Sequence, residues 1–267
     1  EDVCHLAEVL FPPEWEFGDP FEQIQRDGNE FTERFDAVFP VGWTRTKRYQ
    51  SQNNLDRTIA LTELNAGHHV LNLMAHGDAF KFSVGNGINP LIYLADTDAL
   101  TNGNRLMFVN ATACNPNQFD LECQGESFMN NPNGGAIAVF GPTREDFPIV
   151  ASDFHEDMLH LIFEQGIDRF GVFGQMHRVP YAGQASSDLT SIRWTMQTRE
   201  LFGDPDLRLW RSEPATLTVA HAASVPLGTT SITVTVTDGG SQPVDGALVC
   251  LNDGNGTYER ARTDAAG

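Results

Sequence analysis

Positive charge is scarce in this sequence. Seventeen Lys plus Arg stand against 36 Asp plus Glu in 267 residues, for a formal net charge of −19, and Lys47 and Lys81 are the only lysines. So acidic a surface repels phosphate backbones and anionic membranes, which excludes nucleic acid as an expected partner. Cysteine is scarce too. Cys4, Cys114, Cys123 and Cys250 are irregularly spaced and form no CxxC pair, so neither a disulfide scaffold nor a cysteine-rich zinc site is expected. No apolar run reaches about 18 residues and no signal peptide is visible, so no transmembrane segment is expected. The glycines of SVGNGINP (83 to 90) lack phosphate-loop spacing and a following lysine, and no repeat or low-complexity tract is present.

The hydrophobic fraction, 40%, is that of a globular chain with a real core. Up to about residue 211, short apolar runs alternate with amphipathic segments, the rhythm of a mostly parallel α/β sheet flanked by helices. Strands are expected at CHLAEVLF (4 to 11), 46 to 50, 69 to 75, RLMFVNA (105 to 111) and AIAVF (136 to 140). Asp19-Pro20 reads as a helix start, with Phe31, Phe35 and Val38 at helical spacing after a break at Asp27-Gly28. Asn53 or Asn54 is expected to cap a helix closed by Gly67 as a left-handed residue, a short helix is expected at 121 to 130, and another at 152 to 165 ends before Gly166. From residue 212 to 267 the pattern changes to period two, as in SITVTVT (231 to 237), which reads as a β-sandwich module cut short at its C-terminus.

In a parallel sheet, functional groups gather beyond the carboxyl ends of the strands. The run VLNLMA ends in His76-Gly77-Asp78, and strand 105 to 111 leads into Cys114, so neighbouring strands would bring an imidazole and a thiol to one cleft. A thiolate attacks a carbonyl and an imidazolium protonates a departing amine, which suffices for amide cleavage. Gly77 allows close approach of its backbone N–H, which with the N–H of Cys114 would form an oxyanion hole. The plain alternatives are a surface histidine and a small buried cysteine.

Other motifs are weaker. His155 and His160 are five residues apart, off any common helical face for a metal. His68 and His69 point to opposite faces of a strand. NDGNGT (252 to 257) lacks EF-hand ligand spacing and reads as a hairpin turn.

MAHGDA around His76, NATACNPNQFD around Cys114, GGAIAVFGPT (134 to 143) and LFGDPDLRLW (201 to 210) together resemble the gingipain-type cysteine peptidases, family C25. The resemblance implies a caspase-like fold over residues 1–211, lacking an upstream subdomain, and an immunoglobulin-like module over 212–267. It implies His76 and Cys114 as catalytic dyad, with the amides of Gly77 and Cys114 as oxyanion hole. The segment after AIAVF would help wall the substrate pocket, with Phe147 as its aromatic. Glu145 and Asp146 would then favour Arg or Lys substrates, whereas Arg144 would favour acidic ones. Cys123 is expected to be buried. A group orienting His76 is sought among Asp78, Glu14 and Glu16. No cofactor is required; the family allows calcium, with no site assignable. Protein or peptide substrates and a secreted or cell-surface location are implied. A sortase-like transpeptidase and a non-catalytic adhesion protein are the alternatives.

Overall fold

The computed structural model describes residues 1–11, 26–84, 92–187 and 191–267, apart from residues 213, 227, 230, 253, 255 and 257. It divides into two compact units, Glu1–Arg211 and Ser212–Gly267.

The first unit is built on a six-stranded sheet. Its strands are β1 (Asp2–Ala7), β2 (Thr44–Tyr49), β3 (Val70–Met74), β4 (Met107–Thr112), β5 (Ala136–Pro142) and β6 (Arg199–Phe202), in the order β6-β5-β4-β3-β1-β2. All neighbours run parallel except β5 and β6. The chain therefore leaves β1 toward β2 on one side and returns to β3 on the other. That reversal opens a crevice at the carboxyl ends of β1 and β3.

Burial on both faces explains the unbroken apolar runs. Along β3, Val70 and Met74 pack with Phe35, Phe108 and Met158 on one side, whereas Leu71 and Leu73 pack with Leu6, Leu64 and Val109 on the other. Strand alternation thus divides one run between two cores.

Several element boundaries differ from the sequence expectation. The break at Asp27-Gly28 is a helix start: Arg26–Asp27 is extended, and the Asp27 carboxylate accepts from Asn29 N–H at 3.1 Å to cap the helix Gly28–Asp36, which Val38 lies beyond. The expected start at Asp19-Pro20 lies outside the described residues, as do residues 85–91 of the glycine-rich stretch. The helix Arg57–Ala66 is capped by Asp56, which accepts from Ile59 N–H at 2.8 Å. Asn53 and Asn54 are otherwise engaged: Asn53 closes a 3-10 turn at φ 55°, and Asn54 Oδ1 accepts from Tyr49 N–H at 2.6 Å. Gly67 does follow that helix, but at φ 67°, ψ 138°, outside the left-handed helical region. The helix Pro148–Phe163 begins four residues early because proline suits its first turn.

The second unit contains two antiparallel pairs, Leu217–His221 with Val234–Asp238 and Leu248–Asn252 with Tyr258–Arg262. Of the NDGNGT stretch read as a turn, Asn252 ends the strand Leu248–Asn252, and residues 253, 255 and 257 lie outside the described residues. Among the described residues no helix is long and apolar enough to cross a membrane.

Candidate active site

Register fixes the site. Met74 on β3 is level with Thr112 on β4, and Ala7 on β1 is level with Met74. His76 and Cys114 each lie two residues past that row, at the same carboxyl edge of adjacent strands, and Glu8 follows Ala7 on the third. The ladder extends one step further, since Ala75 N–H donates to Thr112 O at 3.0 Å.

His76 then enters a short strand, His76–Asp78, paired with Lys81–Ser83. Gly77 sits tightly there. A β-carbon on it would lie 3.0 Å from Lys81 O, 3.3 Å from Cys114 O and 3.4 Å from Ala113 Cβ. The backbones of the His-Gly pair and of Cys114 are therefore in contact range. The His76 side chain is 39% exposed, and Cys114 is partly exposed. His76 Nε2 is 2.7 Å from Leu10 O, and the Phe11 ring meets the imidazole edge-on. A carbonyl only accepts, so Nε2 carries the hydrogen of the neutral ring and Nδ1 carries the lone pair.

The group packed behind His76 is Glu8, which sequence reasoning missed. It is 2% exposed, with Oε1 4.0 Å from His76 Nε2, and its carboxyl accepts the His76 backbone N–H. Its own backbone is pinned, Glu8 N–H donating to Met74 O at 3.0 Å and Gly28 N–H donating to Glu8 O at 2.9 Å. Gly28 must be glycine for this approach, because a β-carbon would stand 2.6 Å from Glu8 O. Burial pushes the Glu8 carboxyl up to about 9, against the pull of the His76 N–H. It is thus uncharged near neutrality. Asp78 pairs with Lys81 at 3.0 Å, and Glu14 and Glu16 lie outside the described residues.

Cys114 Sγ accepts from Asp146 N–H at 3.4 Å. Burial pushes the thiol above its ordinary value, the Asp146 N–H opposes this, and the charges of Asp146 and Glu145 add to the rise. The next helix in the chain, Gln124–Asn130, has its first two N–H groups donating to Ala79 O and Pro116 O. Cys123, just before it, is fully buried.

The Asp146 carboxylate, read from the sequence as a substrate-facing charge, is turned inward. It is 2% exposed and paired at 2.9 Å with Arg199, itself fully buried. Arg199 also donates to Asn110 Oδ1 and Ala111 O, each at 3.2 Å, and stacks over Phe140. Burial raises Asp146 and lowers Arg199, and their attraction opposes both. Arg144 is likewise engaged, donating to Asp120 at 3.0 Å. Glu145 and Phe147 face solvent, and the Glu145 carbonyl accepts from Trp194 Nε1 at 2.7 Å. The expected mismatch of the 155 and 160 histidines holds. His155 is buried against Phe35 and Asn72, whereas His160 lies beside Glu164 at the surface.

A mostly parallel sheet in this order, with a His-Gly pair level with a cysteine at its carboxyl edge, defines the class: the caspase-like fold. The chain belongs to peptidase family C25, whose family model matches residues 2–210. It is similar to the crystal structure of the Arg specific cysteine proteinase gingipain R, with a TM-score of 0.75 at 16% identity, covering 99% of this chain and 59% of that one. A complex of Porphyromonas gingivalis RgpB pro- and mature domains matches with a TM-score of 0.71 at 16% identity, covering 99% and 60%. A structure titled only as a protease gives 0.70 at 14%, covering 99% and 59%. The chain thus spans about three fifths of the length of these structures. No curated protein sequence matches it.

Proposed function

We propose that this chain carries a cysteine endopeptidase, with Cys114 as nucleophile and His76 as general acid and base. The observation that carries this reading is the shared level of His76 and Cys114 on adjacent strands, with Gly77 packed against the Cys114 carbonyl. Burial favours the neutral thiol at Cys114. His76 Nδ1 takes the Cys114 proton as Sγ attacks the peptide carbonyl carbon, and the amides of Gly77 and Cys114 receive the oxyanion. On collapse the C–N bond breaks and His76 returns that proton to the amine. Water, deprotonated by His76, then cleaves the thioester and restores the thiol. Glu8 orients His76 without adding charge.

The protein named Arg specific among the similar structures directs attention to substrate charge. With Asp146 turned inward and Arg144 engaged, exposed Glu145 is the acidic group that remains beside Phe147, so a basic residue before the cleaved bond is the proposed preference. Family membership supports action outside the cell on protein or peptide substrates, with no cofactor required.

The test is covalent labelling by peptide acyloxymethyl ketones, differing in the residue next to the warhead, on the full chain and its Cys114→Ala and His76→Ala variants. Loss of labelling in the Cys114 variant, with a strongly reduced rate in the His76 variant, supports the reading. Absence of labelling with every probe favours a non-catalytic protein. An added amine nucleophile separates hydrolysis from transpeptidation by the product formed.

A further inference from the structure

At the opposite edge of the same sheet, Cys4, Glu63 and His68 converge. Among the described residues they are the one group of three or more His, Cys, Asp or Glu side chains whose ligand atoms all lie within 4.8 Å of one another. Each arrives from a different element. Cys4 is on β1, Glu63 is in the last turn of the helix Arg57–Ala66, and His68 follows the Gly67 turn that leads into β3. Cys4 is fully buried and His68 is 6% exposed.

The hydrogen bonding around His68 points to a cation. Asp2 Oδ2 lies 2.8 Å from His68 Nδ1, and Asp2 Oδ1 accepts the His69 N–H at 3.0 Å. A carboxylate in that place holds the hydrogen on Nδ1 and turns the Nε2 lone pair the other way. That lone pair meets Glu63 Oε2 at 3.2 Å. Two electron pairs facing each other in a buried site repel unless a positive centre lies between them. Glu63 Oε1 is already held by Arg48, at 2.7 and 2.8 Å, so Oε2 is the oxygen directed at the site. A bridging proton would satisfy Nε2 and Oε2, but it gives the Cys4 sulfur no part.

We propose that Cys4, Glu63 and His68 form a binding site for a borderline-soft divalent cation of the zinc class, independent of the catalytic dyad. One sulfur, one imidazole nitrogen and one carboxylate oxygen are a zinc donor set, completed to four by water. A thiolate ligand disfavours calcium and magnesium, which take oxygen. Zinc bond lengths of about 2.0 to 2.3 Å put tetrahedral N, O and S ligands roughly 3.3 to 3.6 Å apart, so side chains whose ligand atoms lie within 4.8 Å of one another need close by little more than about 1 Å. Asp2 behind His68 completes the carboxylate–histidine–metal relay that orients such ligands. His68 and Asp2 also border a surface cavity with Arg105 and Trp210, so the histidine of the site is reached from solvent on its Asp2 side.

Binding replaces the Cys4 hydrogen with a sulfur–metal bond and releases that proton to solvent, together with any proton held between Nε2 and Oε2. A bound ion would tie the start of β1 to the helix end and the start of β3.

The experiment uses the full chain carrying Cys114→Ala, which removes the competing thiol of the candidate dyad. Cobalt(II) is titrated and followed by its thiolate charge-transfer absorption, then displaced with zinc, and thermal melting is measured with and without zinc. One equivalent, a charge-transfer band and a raised melting midpoint are expected. Adding Cys4→Ala should abolish the band, and adding Glu63→Gln should weaken binding at least tenfold. Absence of a band in the parent, or a band unchanged by both additions, overturns the proposal. If the Cys4 variant does not fold, the Glu63→Gln titration decides.

Discussion

The Asp146 carboxylate pairs with the Arg199 guanidinium at 2.9 Å, with both side chains almost wholly removed from solvent, while the amide of Asp146 donates to Cys114 Sγ at 3.4 Å. One residue thus joins a buried ion pair to the hydrogen bond of the proposed nucleophile. Removing one member strands a charge, which costs about 3–5 kcal/mol in buried pairs. Arg199→Met should lower stability by about that amount in urea unfolding, and Asp146→Asn/Arg199→Met should lose less than the single change. Equal losses would mean the pair is not ionised in the folded chain. Substrate charge preference should respond to Glu145→Gln and not to Asp146→Asn, read as the ratio of kcat/KM for Arg and uncharged substrates.

Cys114 should react as a thiol of raised pKa. With burial holding the neutral form, the thiolate fraction grows tenfold per pH unit below its midpoint. Alkylation of Cys114 by iodoacetamide, followed by peptide mass analysis, should still be climbing at about pH 8.5, the ordinary thiol midpoint. A rate that is flat from neutrality upward would instead reveal a resting thiolate–imidazolium pair.

Much of this arrangement was legible in the sequence, and what was not has a physical cause. His76 and Cys114 stood out because each terminates a continuous apolar run, and two-sided burial makes such runs central parallel strands whose carboxyl ends share an edge. Glu8 was overlooked although the signal existed, a single carboxylate inside the apolar stretch CHLAEVLF; the strand was read straight through it, whereas the chain ends β1 at Ala7 and turns the carboxylate inward. For Asp146, three adjacent charged residues gave no indication of which would face the core, since that depends on Arg199, fifty-three positions away. The row His5, Asn72, Asn110, level across β1, β3 and β4, is similarly visible only as polar letters in apolar strands until the register aligns them. Cys4, Glu63 and His68 were each plain in isolation, and only the fold unites them.

Gly77 is held by space rather than by backbone angle. An alanine β-carbon would press on Lys81 O at 3.0 Å and Cys114 O at 3.3 Å, moving the two amides proposed to receive the oxyanion. Displacements of about 1 Å cost on the order of a hundredfold in rate, so a shift of a few tenths should cost about fourfold in kcat/KM for Gly77→Ala. The melting midpoint should change little, because the crowding is at a surface hairpin. A variant of full activity would place the oxyanion donors elsewhere.

Glu8 makes the sharpest pH prediction. Its folded-state value of about 9 lies above the ordinary 4.5, so between those limits the unfolded chain has lost a proton that the folded chain retains. Stability from this group is complete below the unfolded value and declines as pH rises toward the folded one, with a slope of up to about 1.4 kcal/mol per pH unit. Glu8→Gln keeps the shape and removes the titration. Relative to the variant, the parent should therefore lose stability steadily from about pH 5 to pH 9 in parallel urea titrations, the two differing least at acid pH. If Glu8 orients His76 as a neutral group, the same variant should also keep kcat within several-fold near pH 7, while Glu8→Ala, which empties the space behind the imidazole, loses far more. A large kcat loss in Glu8→Gln, with no change in the pH dependence of stability, would show instead that the carboxylate is charged and acts as a counter-ion to the imidazolium.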